Sequence, residues 1–429
     1  MGRLVSRQAS GSGASLKTRI RWALSRCKRE LFYAWQSLRG YPKHFEEVDL
    51  GRVLIGEQAN IPLEKWVRKT GEVERISVLL QDSPYVWFLK DVLQNERLLE
   101  EDAALERHPY FRMAQTVMRH TGNYFGEQTA EGLKAHMRKF YQMYRGFSRS
   151  GEVVHATDDF RHSEFGAPIT LSKVSFSDCY EIKDGHHRAA ILWMRGEHKI
   201  RALVVGEKTT FLQQVLLSCL QINGTELYQP VSKPEVRDWR LVRQCEDRLA
   251  MMVKFLKESR LDDKIQTVLD IPCSYGWFVH QFRQRGYQAF GLDRDPNSLE
   301  VGKIVYGLTD QELRQGEVLD FLDHSDQKYD LVLFLSILHH FASGKERGHE
   351  NQVLRKLDQI TGKVLILDSG QNNEAWFRNK LPAWDEDYLE SKIREHTSFR
   401  KIVRLGKDQD NRGIYKDQYA RTLFACVKT

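Results

Sequence analysis

From Gln266 onward the chain alternates apolar strand-like runs with helical stretches, and that rhythm limits the fold more than any other feature. Parallel strands need crossovers long enough to hold a helix, so strand–helix repetition builds an α/β domain. Thr267–Ile271 reads as the first strand and Trp277–Arg285 as its helix. Gln288–Asp293 reads as the second strand, with Pro296 opening the next helix. Asp330–Leu335 is almost continuously apolar, as the centre of a sheet covered on both faces requires. Lys363–Asp368 supplies another strand, and Arg421–Val427 closes the sequence. The expected C-terminal domain, residues 263–429, is a doubly wound α/β sheet.

A chain of 429 residues exceeds one ordinary core, so a second domain is expected upstream. Short strand-like runs at Val53–Leu54 and Leu203–Val205 flank a stretch from Trp87 to Tyr144 that reads as almost wholly helical. Residues 41–207 are therefore expected to form an α+β domain. Residues 208–262 read as a helical connector, with an amphipathic helix over Val236–Leu261. No run approaches the roughly 18 apolar residues that a membrane span needs.

The net charge of +7 is concentrated at one end. Residues 1–40 carry nine basic side chains against the single acid Glu30, which leaves −1 for residues 41–429. A broad nucleic-acid footprint is thus disfavoured. Residues 1–16, rich in Ser and Gly, are expected to be disordered. Residues 17–38 place Ile20, Leu24, Cys27, Leu31, Trp35 and Leu38 in one helical stripe among Arg and Lys. Two readings stand side by side for this stripe: adsorption to an anionic membrane surface, or docking on the protein's own domain. The six cysteines lie far apart without metal-ligand spacing. A metal site built on cysteine is not expected, and scattered thiols suit a cytoplasmic location, with peripheral attachment at the inner membrane face.

Several acids and small residues stand where strands end. Val268-Leu-Asp-Ile-Pro-Cys-Ser-Tyr-Gly276 ends a strand in Asp270 and passes through Pro272, Cys273, Ser274 and Gly276 into a helix. In doubly wound sheets such loops let backbone approach a ligand closely. Asp293 closes the second strand 23 residues after Asp270, where a carboxylate can accept hydrogen bonds from two ribose hydroxyls. Asp320 follows the third strand, and Tyr329–Phe341 runs through Ser336 to His339 and His340.

These elements, in this order and spacing, resemble the motifs of class I S-adenosylmethionine-dependent methyltransferases. The resemblance implies a Rossmann-like domain that binds S-adenosylmethionine through Asp270, Pro272, Cys273, Ser274, Gly276, Asp293, Asp320 and Ser336. Pro272 and Ser274 depart from it, standing where the family usually has glycine. In transfer to oxygen, an imidazole beside the acceptor takes the hydroxyl proton, typically contributing about 10²–10⁴-fold. His340 is the preferred base and His339 the second candidate, with shaping of the loop as the other reading of both.

The stretch Tyr180–Val205 contains Asp184-Gly185-His186-His187-Arg188. Gly185 permits a turn, and a helix opening near Arg188 offers free amides and a forked donor to phosphate. The other reading is a packed turn with exposed histidines. The stretch resembles the ParB/sulfiredoxin superfamily, most clearly over Val174–Val205. That resemblance implies a nucleotide, with Mg, held by Asp184, Gly185, His186, His187 and Arg188.

The combined expectation is a methyltransferase acting on a hydroxyl of a glycan or phosphorylated sugar in bacterial surface-polysaccharide synthesis. The glycan choice rests on the basic N-terminal stripe, the neutral body and general resemblance to hybrid proteins of those pathways. Two alternatives remain: an RNA (tRNA) methyltransferase, and a non-catalytic cofactor-sensing or scaffold protein.

Overall fold

A computed structural model describes residues 44–56, 78–150, 168–220, 224–343, 348–409 and 420–428. The basic stripe at 17–38 and the Ser/Gly start lie outside the described residues. Among those described, no helix is long and apolar enough to cross a membrane.

The N-terminal unit is built on a mixed five-stranded sheet. Strand β1 (His44–Asp49) is followed by the two-residue β2 (Val53–Leu54). Helices α1 (Pro84–Gln94), α2 (Asp102–Arg107), α3 (Pro109–Thr121) and α4 (Ala130–Ser150) come next. The chain then returns through β3 (Thr170–Val174), β4 (Tyr180–Asp184), α5 (His186–Met194) and β5 (Lys199–Lys208). The strand order is β1-β5-β3-β4-β2, with β1/β5 and β3/β4 antiparallel and β3/β5 and β2/β4 parallel. Rings from α1, α3 and α4 stack on one another: Phe88 on Tyr110 at 5.4 Å and on Phe140 at 5.8 Å.

Between the units the expected helix over Val236–Leu261 is realised only in part. After α6 (Phe211–Leu217), β6 (Glu226–Leu227) pairs in parallel with β7 (Arg240–Leu241), and α7 covers only Glu246–Glu258. Tertiary contacts hold the intervening residues extended: Trp239 Nε1 donates to the Phe176 carbonyl at 3.1 Å, and Val242 N to the Leu227 carbonyl at 2.8 Å. Periodicity alone could not register those partners.

The C-terminal unit alternates as the sequence predicts. Its elements are β8 (Thr267–Asp270), α8 (Trp277–Arg283), β9 (Gln288–Asp293), α9 (Pro296–Tyr306), β10 (Leu313–Gln315) and α10 (Val318–His324). They continue with β11 (Tyr329–Phe334), α11 (Leu338–Ser343), α12 (Glu350–Ile360) and β12 (Thr361–Leu367). Helix α13 (Glu386–His396), β13 (Lys401–Lys407) and β14 (Thr422–Val427) complete the fold. The sheet order is β10-β9-β8-β11-β12-β14-β13; the first five strands are parallel, and β14 is antiparallel to both of its neighbours. The order in which the strands are laid down reverses between β8 and β11, so their carboxyl ends open the crevice where such sheets bind ligands. Leu331, Val332, Leu333 and Phe334 of β11 are fully buried, which accounts for its unbroken apolar run.

The two units share one core. Tyr275, Val301 and Ile304 of the C-terminal unit belong to the same buried cluster as Leu212, Leu216 and Trp239 and the aromatic rings of α1 and α3. Truncating a buried Ile to Ala costs about 2–5 kcal/mol. Ile304→Ala should therefore lower amide-exchange protection in β5 as well as in β11, measured by native-state hydrogen exchange. A loss confined to β11 would contradict the shared core.

Candidate active site

Strand β8 delivers Asp270 to the crevice, fully buried, with no hydrogen-bond partner for its Oδ2 among the described residues. The chain then turns through a cis Ile271–Pro272 peptide. Cys273 N donates to the Leu292 carbonyl at 2.9 Å, and its thiol packs into the core at Gly291, where any Cβ would meet Sγ at 2.7 Å. The Cys273 side chain is thus a wedge between loop and sheet, and only its backbone borders the crevice. Ser274 and Gly276 take φ of +52° and +76°. A Cβ at Gly276 would also press on Leu308 and Leu313 at 3.0 Å, so glycine serves both the backbone and the packing there.

Asp293, at the end of β9, closes this loop. Its Oδ2 accepts from Ser274 N at 2.8 Å and its Oδ1 from Asp295 N at 3.0 Å. Burial lifts the Asp293 carboxyl above the usual carboxylate range, and the N–H groups of Asp295 and Ser274 pull it back in part. Asp270 is pushed well up by burial; the charge of Arg248 opposes this and that of Asp293 adds to it. Two buried carboxyls on adjacent strands, one with an unpartnered oxygen, form a seat for a ligand rich in hydrogen-bond donors. S-adenosylmethionine, with its ammonium group and ribose diol, fits that donor demand.

Across the crevice the end of β11 meets a buried set of ion pairs. Ser336, at φ +60°, donates its N–H and its hydroxyl to Asp368 Oδ1 at 2.6 and 3.1 Å. Its side chain therefore holds the turn after β11. Asp368 Oδ2 also faces Arg248 Nη1 at 3.3 Å, and both side chains are buried. Arg421 grips Glu374 with two bonds of 2.8 Å, while Arg243 pairs with Asp408. Burial works against the charge on Arg421, but its bond to Glu374 outweighs that and holds the guanidinium ionised.

The two histidines separate in role. His339 is buried, accepts the Gly370 N–H on Nδ1 at 2.9 Å, and packs edge-on against Phe377 at 4.5 Å. That removes it as a candidate base: its ring is a structural acceptor. His340 is exposed, yet crowding by protein, then the charges of Arg421 and Arg294, lowers its pKa. It is accordingly neutral near pH 7 and able to accept a proton. Asp320 also departs from expectation. It lies inside α10, exposed, with its carboxylate 3.2 Å from His324, because the helix begins two residues earlier and turns it outward. The acid at the end of β10 is Glu317, at the N-cap of α10.

In the N-terminal unit, Gly185 caps α5 at φ +96°, and Asp184 Oδ2 lies 3.4 Å from Arg188 Nη2. His186 is buried against Tyr85, with ring centres 5.4 Å apart. His187 Nε2 lies 2.6 Å from the Tyr110 hydroxyl and 3.4 Å from His136 Nε2. Burial pushes His186 down to about 4 and His187 well below the ordinary imidazole value. Both are neutral parts of an aromatic core and not cationic phosphate ligands. They are packed and not exposed, because Tyr85, Tyr110 and His136 come from distant helices. Glu181, on β4, is buried and takes Lys208 Nζ at 2.9 Å.

Residues 268–359 match the family model described as a methyltransferase domain. The C-terminal unit thus carries a methyltransferase domain over those residues. No curated protein gives a match. Among solved structures, the bifunctional kinase-methyltransferase WbdD is similar at 18% identity and a TM-score of 0.41, covering 50% of this chain and 45% of that one. The matched region thus spans just under half of the WbdD chain. A SAM dependent methyltransferase from Archaeoglobus fulgidus is 11% identical with a TM-score of 0.31, covering 42% of this chain and 94% of its own. Magnesium protoporphyrin IX methyltransferase from Synechocystis PCC 6803, solved with bound SAM, is 15% identical with a TM-score of 0.31, covering 43% and 79%.

Proposed function

We propose that S-adenosylmethionine lies across the carboxyl ends of β8 and β9, and that its methyl group passes to a hydroxyl of a glycan or phosphorylated sugar. The observation that carries the cofactor site is the buried pair Asp270 and Asp293, joined through the Ser274 amide. Asp293 would hold the ribose hydroxyls, and Asp270, whose Oδ2 has no partner among the described residues, would hold the amino-acid portion. Backbone at Pro272, Cys273, Ser274 and Gly276 lets the ligand approach, and Glu317, at the N-cap of α10, is the acid nearest the end of β10. When bound, the cofactor supplies an electrophilic methyl whose carbon–sulfur bond breaks as the acceptor oxygen bonds to carbon. His340 takes the hydroxyl proton. Arg294, the exposed residue after Asp293, lies near enough to depress the His340 pKa, and its charge suits an acceptor that carries phosphate.

For the N-terminal unit the phosphate reading narrows to Gly185 and Arg188, with Asp184 as the only acid of the motif beside them to meet Mg. A nucleotide there and a lipid-linked acceptor near residues 17–38 belong to the same proposal, as does a cytoplasmic location at the membrane's inner face.

Asp293→Ala deletes an ionised acceptor, and charge-assisted bonds contribute about 1.5–3 kcal/mol. Cofactor affinity measured by calorimetry should fall roughly ten- to a hundredfold; unchanged affinity in the folded variant would remove Asp293 from the site. For His340 the test is the pH profile of labelled-methyl transfer. A base with a lowered pKa stays deprotonated as pH falls through the ordinary imidazole value of about 6.5, so the acid limb should lie below that value. His340→Ala should slow transfer by about 10²–10⁴-fold and abolish the limb. An identical profile in that variant would exclude His340 as the base.

A further inference from the structure

The loop that receives the cofactor does not hold its own shape. Pro272 has no N–H, Ser274 sits at positive φ, and Cys273, Ser274, Tyr275 and Gly276 are all buried. Buried amides must find partners. Cys273 N and Ser274 N reach across to the Leu292 carbonyl and to Asp293, and Gly276 N returns to the Cys273 carbonyl. The amides of Tyr275 and Trp277 are left, and both donate to Gln229 Oε1, at 3.1 and 3.3 Å. Gln229 Nε2 in turn donates to the Cys273 carbonyl at 3.3 Å. A single side chain, 5% exposed, thus braces the loop at three points.

Gln229 comes from the segment that leads out of the N-terminal unit, and the same segment also grips the other half of the site. Leu220 N donates to Asp295 Oδ2 at 3.0 Å, and Asn297 Nδ2 to the Ser218 carbonyl at 2.9 Å. Asp295 N is one of the two amides bonded to Asp293. Tyr306 at the end of α9 bonds to the Pro230 carbonyl. The segment is therefore fastened to the loop after β8 and to the turn after β9, the two pieces that must keep their spacing for one ligand to bridge them.

We propose that Gln229 is a positioning residue for the cofactor, so that affinity for S-adenosylmethionine depends on a segment outside the methyltransferase domain proper. The inference rests on the cofactor site proposed above. Only a carboxamide of this length accepts two amides on one oxygen while donating to a carbonyl. Glutamate keeps the acceptor but loses the donor, setting a carboxylate against the Cys273 carbonyl. Leucine keeps the volume and loses all three bonds.

The test is calorimetric titration of S-adenosylmethionine into the full chain, its Gln229→Leu and Gln229→Glu variants, and a Tyr124→Phe control. Tyr124 lies in the aromatic cluster of the N-terminal unit, bonded to Tyr85 and Tyr110 at 3.2 Å. Gln229→Leu should weaken binding by roughly tenfold or more. Gln229→Glu should fall between leucine and wild type, and Tyr124→Phe should bind as wild type whatever its melting temperature. Wild-type affinity in Gln229→Leu overturns the inference, and so does an equal loss in Tyr124→Phe, which would mark a general effect of stability. If the leucine variant does not fold, Gln229→Glu decides: wild-type affinity there, in a folded chain, overturns the inference. A wild-type chain that takes up no cofactor overturns the cofactor site itself, and this inference with it.

Discussion

The carboxylate of Asp293 is the tie on which the candidate site depends. It ends β9, yet one of its oxygens holds the loop that follows β8 and the other begins the turn into α9. An ionised acceptor bonded to two backbone amides is a stronger fastening than a neutral pair, and it works here away from bulk water. Through it, the position of the Ser274 loop is set by the neighbouring strand and not by the loop's own torsions. That is how Pro272 and Ser274 stand where methyltransferases of the resembled class usually have glycine while the loop still borders the crevice. Asp295 extends the tie to Leu220, so the shared core of the two units and the geometry of the site become one problem of packing.

The opposite wall is built from charge. Arg248 with Asp368, Arg421 with Glu374, and Arg243 with Asp408 are all buried pairs. Such pairs contribute little net stability, since desolvation offsets their attraction, but losing one partner typically costs about 3–5 kcal/mol. Their effect is placement. Asp368 holds the turn at Ser336, just before the helix carrying His339 and His340; crowding by protein lowers the His340 pKa, and the Arg421 charge adds to it. His340 thus stands neutral at a solvent-facing edge, within reach of the Arg294 charge.

Much of the C-terminal fold was legible in the sequence because burial on both faces writes itself as continuous apolar runs. Val268–Asp270 and Leu331–Phe334 end where the sheet ends, and acids at those ends could be recognised by position. Side-chain direction was less legible. Asp320 and Glu317 are three residues apart, and only the start of α10 decides which one stands at the strand end. His339 and His340 are adjacent, and the Gly370 amide and Phe377 ring that capture the first come from beyond β12. The surroundings of the histidines in the Asp-Gly-His-His-Arg turn were illegible for the same reason, since their partners lie on helices some fifty to a hundred residues upstream. Gln229 gave no signal at all. A glutamine in a polar connector becomes meaningful only when the loop it braces is in view.

We propose that this chain moves a methyl group to a hydroxyl of a glycan or phosphorylated sugar. The most direct measurement incubates the full chain with cell extract and isotopically methyl-labelled S-adenosylmethionine. The products are separated into glycan, lipid and RNA fractions and read by mass spectrometry. Label should enter the glycan fraction, or the lipid fraction as a lipid-linked glycan, as a methyl ether. Label confined to RNA, or absent from every fraction while the protein still binds the cofactor, would contradict the claim.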